Sequence, residues 1–250
     1  MPRRLILPAA VLALSACNAP DYTPVRDWAA TASFAVDDRR MAGQPQASGG
    51  TDAGTLAMQQ AMSVYLLAIA TLASDGVLPY REDPFVELAV AARARSERGG
   101  AAVTALGTLL RRAARSNAQA PDLRDNIVAA DPHVQALAQS LATAVSGNAG
   151  AEAAARADAA AAYARLATET RDPVARQLVQ EQAAAREADF AAREAARQRY
   201  IDNVIRIGEG HALLKARAAT ITKDEAVQRI RAAQDELRRN AEGVPRGWPG

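Results

Sequence analysis

Apolar residues recur at helical spacing from Thr51 almost to the end of the chain. No segment alternates with the two-residue period of a strand, and Ser33–Val36 is the one short run that approaches it. Thr51 or Asp52 is placed to cap a first helix running to about Ser74. Its second half, Ala61–Ala73, is apolar nearly all round, which marks a central core helix, and Asp75-Gly76 ends it. Those 13 residues fall short of the about 20 that cross a bilayer.

Asp83-Pro84, Asp131-Pro132 and Asp172-Pro173 each read as an N-cap acceptor before a proline at the first helical position. Gly99-Gly100 and Gly147 read as stops, with helices over Ala101–Asn117 and Leu123–Ala130 between them. Residues 149–170 predict an alanine-rich helix with Glu152 and Arg156 as an i,i+4 pair. From Pro173 to about Thr220 only Gly208 and Gly210 interrupt a pattern about 70 Å long. In it, Ala184, Ala188, Ala191 and Ala195 line a small-residue seam, predicting a helix that pairs with 149–170 or projects from the body. Thr222-Lys-Asp-Glu225 reads as a capping box, with Ile221 and Ala226 as a staple, opening a last helix to about Ala241. The expectation is an all-α bundle over 51–242 with a long C-terminal helical hairpin from residue 173, coiled-coil-like in part. Residues 243–250, which carry Trp248, read as a disordered tail.

The first 50 residues follow different rules. Arg3 and Arg4 precede an apolar run, Leu5–Ala16, that ends in Leu14-Ser15-Ala16-Cys17. That is a charged n-region, a short h-region and a small-residue cleavage zone. The last four residues resemble the lipobox of bacterial lipoproteins. The resemblance implies that residues 1–16 are removed and that Cys17 is lipidated, carrying fatty acyl chains such as palmitate. It places the chain in the cell envelope, anchored to a membrane. In enteric-type sorting an aspartate after the cysteine retains a lipoprotein at the inner membrane; Asn18 stands there, which implies the outer membrane, facing the periplasm. Residues 17–50 then read as the lipidated cysteine and a flexible tether, broken by Pro20, Pro24 and Pro45 and spanning roughly 30 Å. Tyr22, Trp28 and Phe34, six apart, are expected to tuck onto the domain.

Loss of residues 1–16 removes two bases and no acid, leaving 28 of each sign. Without a basic surplus, nucleic acid is not an expected partner. Seven arginines fall in residues 91–124 against Glu97 and Asp122, whereas residues 17–90 hold nine acids and four bases. The two segments either neutralise each other or leave a basic surface for an acidic partner or lipid headgroups. Cys17 is the only cysteine, so once acylated it leaves no thiol for a disulfide, catalysis or a metal.

Candidate chemistry is sparse. His211 shares a helical face with Val204, Ile207 and Leu214, beside Glu209, and reads as a partly buried histidine or a site at a kink. No second histidine or carboxylate at ligand spacing accompanies it, so neither a metal nor another cofactor is expected. His133, in the first turn of its helix, is expected to face solvent. The loop Leu78–Phe85 offers Tyr80, Arg81, Glu82 and Asp83 as candidate binding residues. No Gly-x-Ser-x-Gly elbow is present, and no residue stands out as catalytic. The expected function is that of a non-enzymatic helical binding or scaffold module with an envelope protein as partner. The alternative is a small-ligand-binding or enzymatic helical domain, its site near His211 or the Tyr80–Asp83 loop.

Overall fold

A computed structural model describes residues 20–37, 52–80, 82–115, 120–147 and 149–242. Cys17, Arg81 and the tail at 243–250 lie outside them. Among the described residues are eight α-helices, one short 3-10 turn at Ala218–Thr220 and no strand. The protein is an all-α helical bundle. The helices are α1 (Thr23–Val36), α2 (Ala53–Leu72), α3 (Val86–Arg95), α4 (Glu97–Arg115), α5 (Ala120–Ser146), α6 (Ala149–Glu169), α7 (Pro173–Ala216) and α8 (Asp224–Glu242).

Helix α2 is the hub. Asp52 caps it, accepting from the N–H groups of Gly54 and Thr55 at 3.1 and 3.3 Å. Met58, Met62, Tyr65, Leu66 and Ile69 are all buried. It ends where Asp75 enters the left-handed region (φ 54°) and Gly76 N–H returns to Thr71 O at 2.9 Å. By length and composition α2 is apolar enough to cross a membrane, but 72% of that apolar window is buried inside the protein. Its sequence therefore describes a core helix.

The tether expectation fails over residues 23–36. They form α1, and Pro24, taken as a helix breaker, sits in its first turn, where a missing N–H costs nothing. Tyr22 and Trp28 are buried and only Phe34 faces out. Ser33–Val36, the weak strand candidate, is the end of the same helix and stitches it to α2. Ser33 Oγ hydrogen-bonds Ser63 Oγ at 2.9 Å, and Gln59 Nε2 donates to Val36 O at 2.6 Å.

Two expected breaks are also absent. Asp131-Pro132 does not open a helix, because α5 runs through it. An interior proline costs about 3 kcal/mol. Here Leu123, Ile127, Ala130, Val134, Leu137 and Leu141 form one buried stripe across it, and at about 1.5–3 kcal/mol per large side chain their burial outweighs the lost bond. His133 is accordingly half-buried in mid-helix, not exposed in a first turn. Gly99-Gly100 do not end a helix; they form the first turn of α4. A Cβ on Gly99 would collide with Met58 Sδ, and one on Gly100 would lie 2.7 Å from the Arg93 backbone. These glycines serve close approach.

Helix α7 is continuous for 44 residues, about 66 Å, and begins as expected, with Asp172 Oδ1 accepting from Val174 N–H at 3.0 Å. Its C-terminal half lies in the bundle. Its N-terminal half leaves the bundle and pairs with α6, in which no residue is buried. Pairing and projection, the two alternatives for the alanine-faced helix, both hold. Glu152 and Arg156 do not pair with each other along α6. They cross to α7, Glu152 meeting Arg197 and Arg156 meeting Glu187. The Thr222–Glu225 box is replaced as well, with Glu225 holding Arg217 and Arg229 at 3.2 Å each. Ile221 and Ala226 are both buried beside that turn.

Candidate functional site

The polar chemistry of the core converges on His211. It is wholly buried, on the bundle half of α7. Its Nδ1 lies 3.1 Å from Asp131 Oδ1 on α5, and its Nε2 lies 2.8 Å from Tyr65 Oη on α2. A carboxylate only accepts, so Nδ1 carries the proton and Nε2 accepts from the phenol. Lys215, one turn beyond His211, donates to Asp131 Oδ2 at 2.9 Å. Gln135, one turn beyond Asp131, donates to Asp131 Oδ1 at 3.2 Å and to Gly208 O at 2.7 Å. Trp28 of α1 closes the cluster, its ring centroid 6.5 Å from that of His211. The two i,i+4 pairs, 131/135 and 211/215, each aim their side chains at the facing helix.

Gly210 makes room for this. A Cβ there would lie 2.6 Å from the Trp28 ring. The helix continues through Gly208 and Gly210 without a break.

Environment shifts His211, Asp131 and Tyr65. Burial disfavours the imidazolium and lowers the His211 pKa, against the opposing pull of Asp131. The hydrogen bonds from His211, Lys215 and Gln135 hold the Asp131 carboxyl well below the usual carboxylate range. Burial, reinforced by the Asp131 charge, pushes the Tyr65 phenol far above its ordinary value. The cluster is thus anionic Asp131, neutral His211 and neutral Tyr65. A carboxylate, an imidazole and a hydroxyl in that order form the orienter–base–nucleophile series of acyl transfer. Here, however, Tyr65 is 1% exposed and its hydroxyl is spent on His211. The series acts as a polar latch across α2, α5 and α7.

The sign of its pH dependence follows. Above about pH 6.5 a histidine is neutral in both folded and unfolded chains. Below it the unfolded chain takes up a proton that buried His211 resists, so stability declines as pH falls. Depressed Asp131 adds a further loss below about pH 4. Thermal unfolding followed from pH 7 to pH 5 should show a falling midpoint, and the slope should flatten in His211→Gln.

The other sequence candidates do not join this cluster. Glu209 faces solvent. Tyr80 is half-buried, Glu82 is exposed, and Asp83 accepts from Phe85 N–H at 2.9 Å while its carboxyl lies against Gly107. Asp83 is therefore a turn-former packed on α4. Among the described residues no group of three His, Cys, Asp or Glu side chains is assembled for a metal ion.

Open space lies mainly elsewhere. A groove of about 440 Å³ runs along the arm, floored by Ala160, Tyr163, Ala164, Val179, Ala183 and Phe190. It continues toward the arm's base as a second groove of about 340 Å³ between Glu152, Arg156, Glu187 and Arg197. No protein-family model, curated protein or solved structure matches the chain.

Proposed function

We propose that this chain is a lipid-anchored envelope protein that acts as a non-enzymatic binding or scaffold module, with the α6–α7 arm as its binding element. The observation that carries the reading is the arm itself. Helix α6 buries no residue, and α7 runs unbroken from the core to the arm's tip. Helix propensity and cross-arm ion pairs hold such a hairpin; burial contributes little. A surface kept ordered without covering itself is available to a partner. Three large apolar side chains near the tip are left in water: Leu166 at 49%, Val174 at 75% and Leu178 at 57% exposure. The charges flanking the groove are of both signs and already paired, which favours a protein partner over nucleic acid.

The membrane part of the reading rests on Leu14-Ser15-Ala16-Cys17, and Asn18 after the cysteine favours the outer membrane. Cys17→Ser should move the chain from the membrane fraction to the soluble one; a variant still wholly in the membrane would overturn the anchor. The arm is tested by photocrosslinking in intact cells from positions 166, 174 and 178. A discrete crosslinked species is expected, and it should vanish when residues 153–193 are replaced by a short turn. The shortened chain should unfold within a few degrees of the full one, since α6 buries no residue and Phe190, the one buried α7 side chain in that stretch, lies outside the core cluster. Crosslinks unchanged by the replacement would sink the arm's role.

A further inference from the structure

We infer that the bundle end opposite the arm is seated on phospholipid headgroups, through the exposed arginines at the end of α4, so that α7 stands the arm's tip off the membrane. The inference rests on the anchor at Cys17 and adds to it a defined surface and pose.

Side-chain contacts fix which ends lie together. Helix α1 runs antiparallel to α7, with Trp28 against Gly210 and the Tyr200 hydroxyl 3.5 Å from Val36 O. The start of α1 therefore lies at the C-terminal end of α7. Helix α5 also runs against α7, Asp131 meeting His211 and Gln135 meeting Gly208. That brings Arg124 to the same end, where its guanidinium lies 5.8 Å from the Tyr22 ring centre. Helix α4 runs against α5, Ser96 meeting Ser140 at 3.3 Å and Arg95 meeting Ala144 O at 3.0 Å. The last turn of α4, with Arg112 and Arg115 exposed, is thus level with Arg124. The turn into α8, with exposed Lys223, closes this end. At the opposite end α6 departs, where Glu152 meets Arg197.

Covalent geometry sets the distance. From Cys17 to Pro20, the first described residue, are three residue steps, at most about 11 Å. Two residues later Tyr22 is buried. An acylated Cys17 therefore holds this end at the bilayer surface and cannot let the body drift as a 33-residue coil would. Of the acids at this end, Asp21 Oδ1 accepts from Thr23 N–H at 2.9 Å and Glu225 holds Arg217 and Arg229, while Asp125 and Asp224 are exposed beside Arg124 and Lys223. Arg112 and Arg115 point to solvent, where anionic headgroups attract basic side chains.

Native Cys17 has no free thiol once acylated, so one introduced cysteine labels one position. The acylated chain, extracted from membranes, is placed in phosphatidylethanolamine–phosphatidylglycerol vesicles with an acceptor dye on the headgroups. Donor dye is placed by Lys223→Cys or by Leu178→Cys. Only vesicles that float with protein are measured, and the mass of the N-terminal lipopeptide is read beside them. Transfer from Lys223→Cys should be at least about threefold higher than from Leu178→Cys, the two sites lying about 60 Å apart along α7. Adding Arg112→Glu and Arg115→Glu should lower the Lys223→Cys signal. Equal or reversed transfer in floating, acylated protein would overturn the pose, and an unchanged signal in the charge variant would overturn the headgroup contact. A chain without acyl mass that fails to float would sink the anchor, and the pose with it.

Discussion

Trp28→Ala is expected to lower the unfolding free energy by about 3–5 kcal/mol, the usual range for truncating a buried tryptophan. Trp28 is 1% exposed, lies on Gly210 and borders the His211 ring. The cavity opens between α1 and α7, where a glycine lacks any side chain to fill it. At the usual sensitivity for a chain of this size, that is a drop of about 10 °C in Tm. The measurement is urea or thermal unfolding of a Cys17→Ser chain. If residues 18–50 were only a tether, the same change would fall within about 0.5 kcal/mol. A near-zero effect would therefore remove α1 from the core.

Asp131→Ala should cost about 3 kcal/mol, the upper range for hydrogen bonds to a charged group. The loss strands the Nδ1–H of His211, which is buried and has no water to turn to. It also frees Lys215, which is half-exposed and re-solvates cheaply. Asp131→Asn keeps an oxygen able to accept from Nδ1–H and should lose distinctly less. Unfolding curves for the two variants separate the lost acceptor from the lost charge. If alanine and asparagine destabilise equally, the Nδ1 hydrogen bond is not what Asp131 contributes.

The hub helix, the run from Pro173 and the alanine pairing of α6 with α7 were legible because each repeats a simple pattern over many residues. Apolar residues on every face of 61–73 have one soluble solution, the centre of a bundle. Where the structure departs from these patterns, tertiary contacts override local signals. Asp131-Pro132 has the composition of a helix start, but the apolar stripe through it keeps α5 intact, and the apparent cap is the core's buried acceptor. Pro24 suggested a break, yet one proline in a first turn is compatible with the helix that Trp28 and Val25 bury. His211 was visible as a candidate, its partners were not. They lie 80 and 146 positions away in the chain, and only the i,i+4 spacing of Lys215 and Gln135 hinted at a shared face.

Because α7 passes from the arm into the core without a break, outreach and body share one continuous helix. Some 24 residues of the helix lie outboard of Arg197 and about half as many lie between Arg197 and Gly210. It is a lever whose fulcrum is the Glu152–Arg197 contact and whose short end rests on the Trp28 ring. A sideways load at the tip is delivered as torque to the contact between Gly210 and the Trp28 ring.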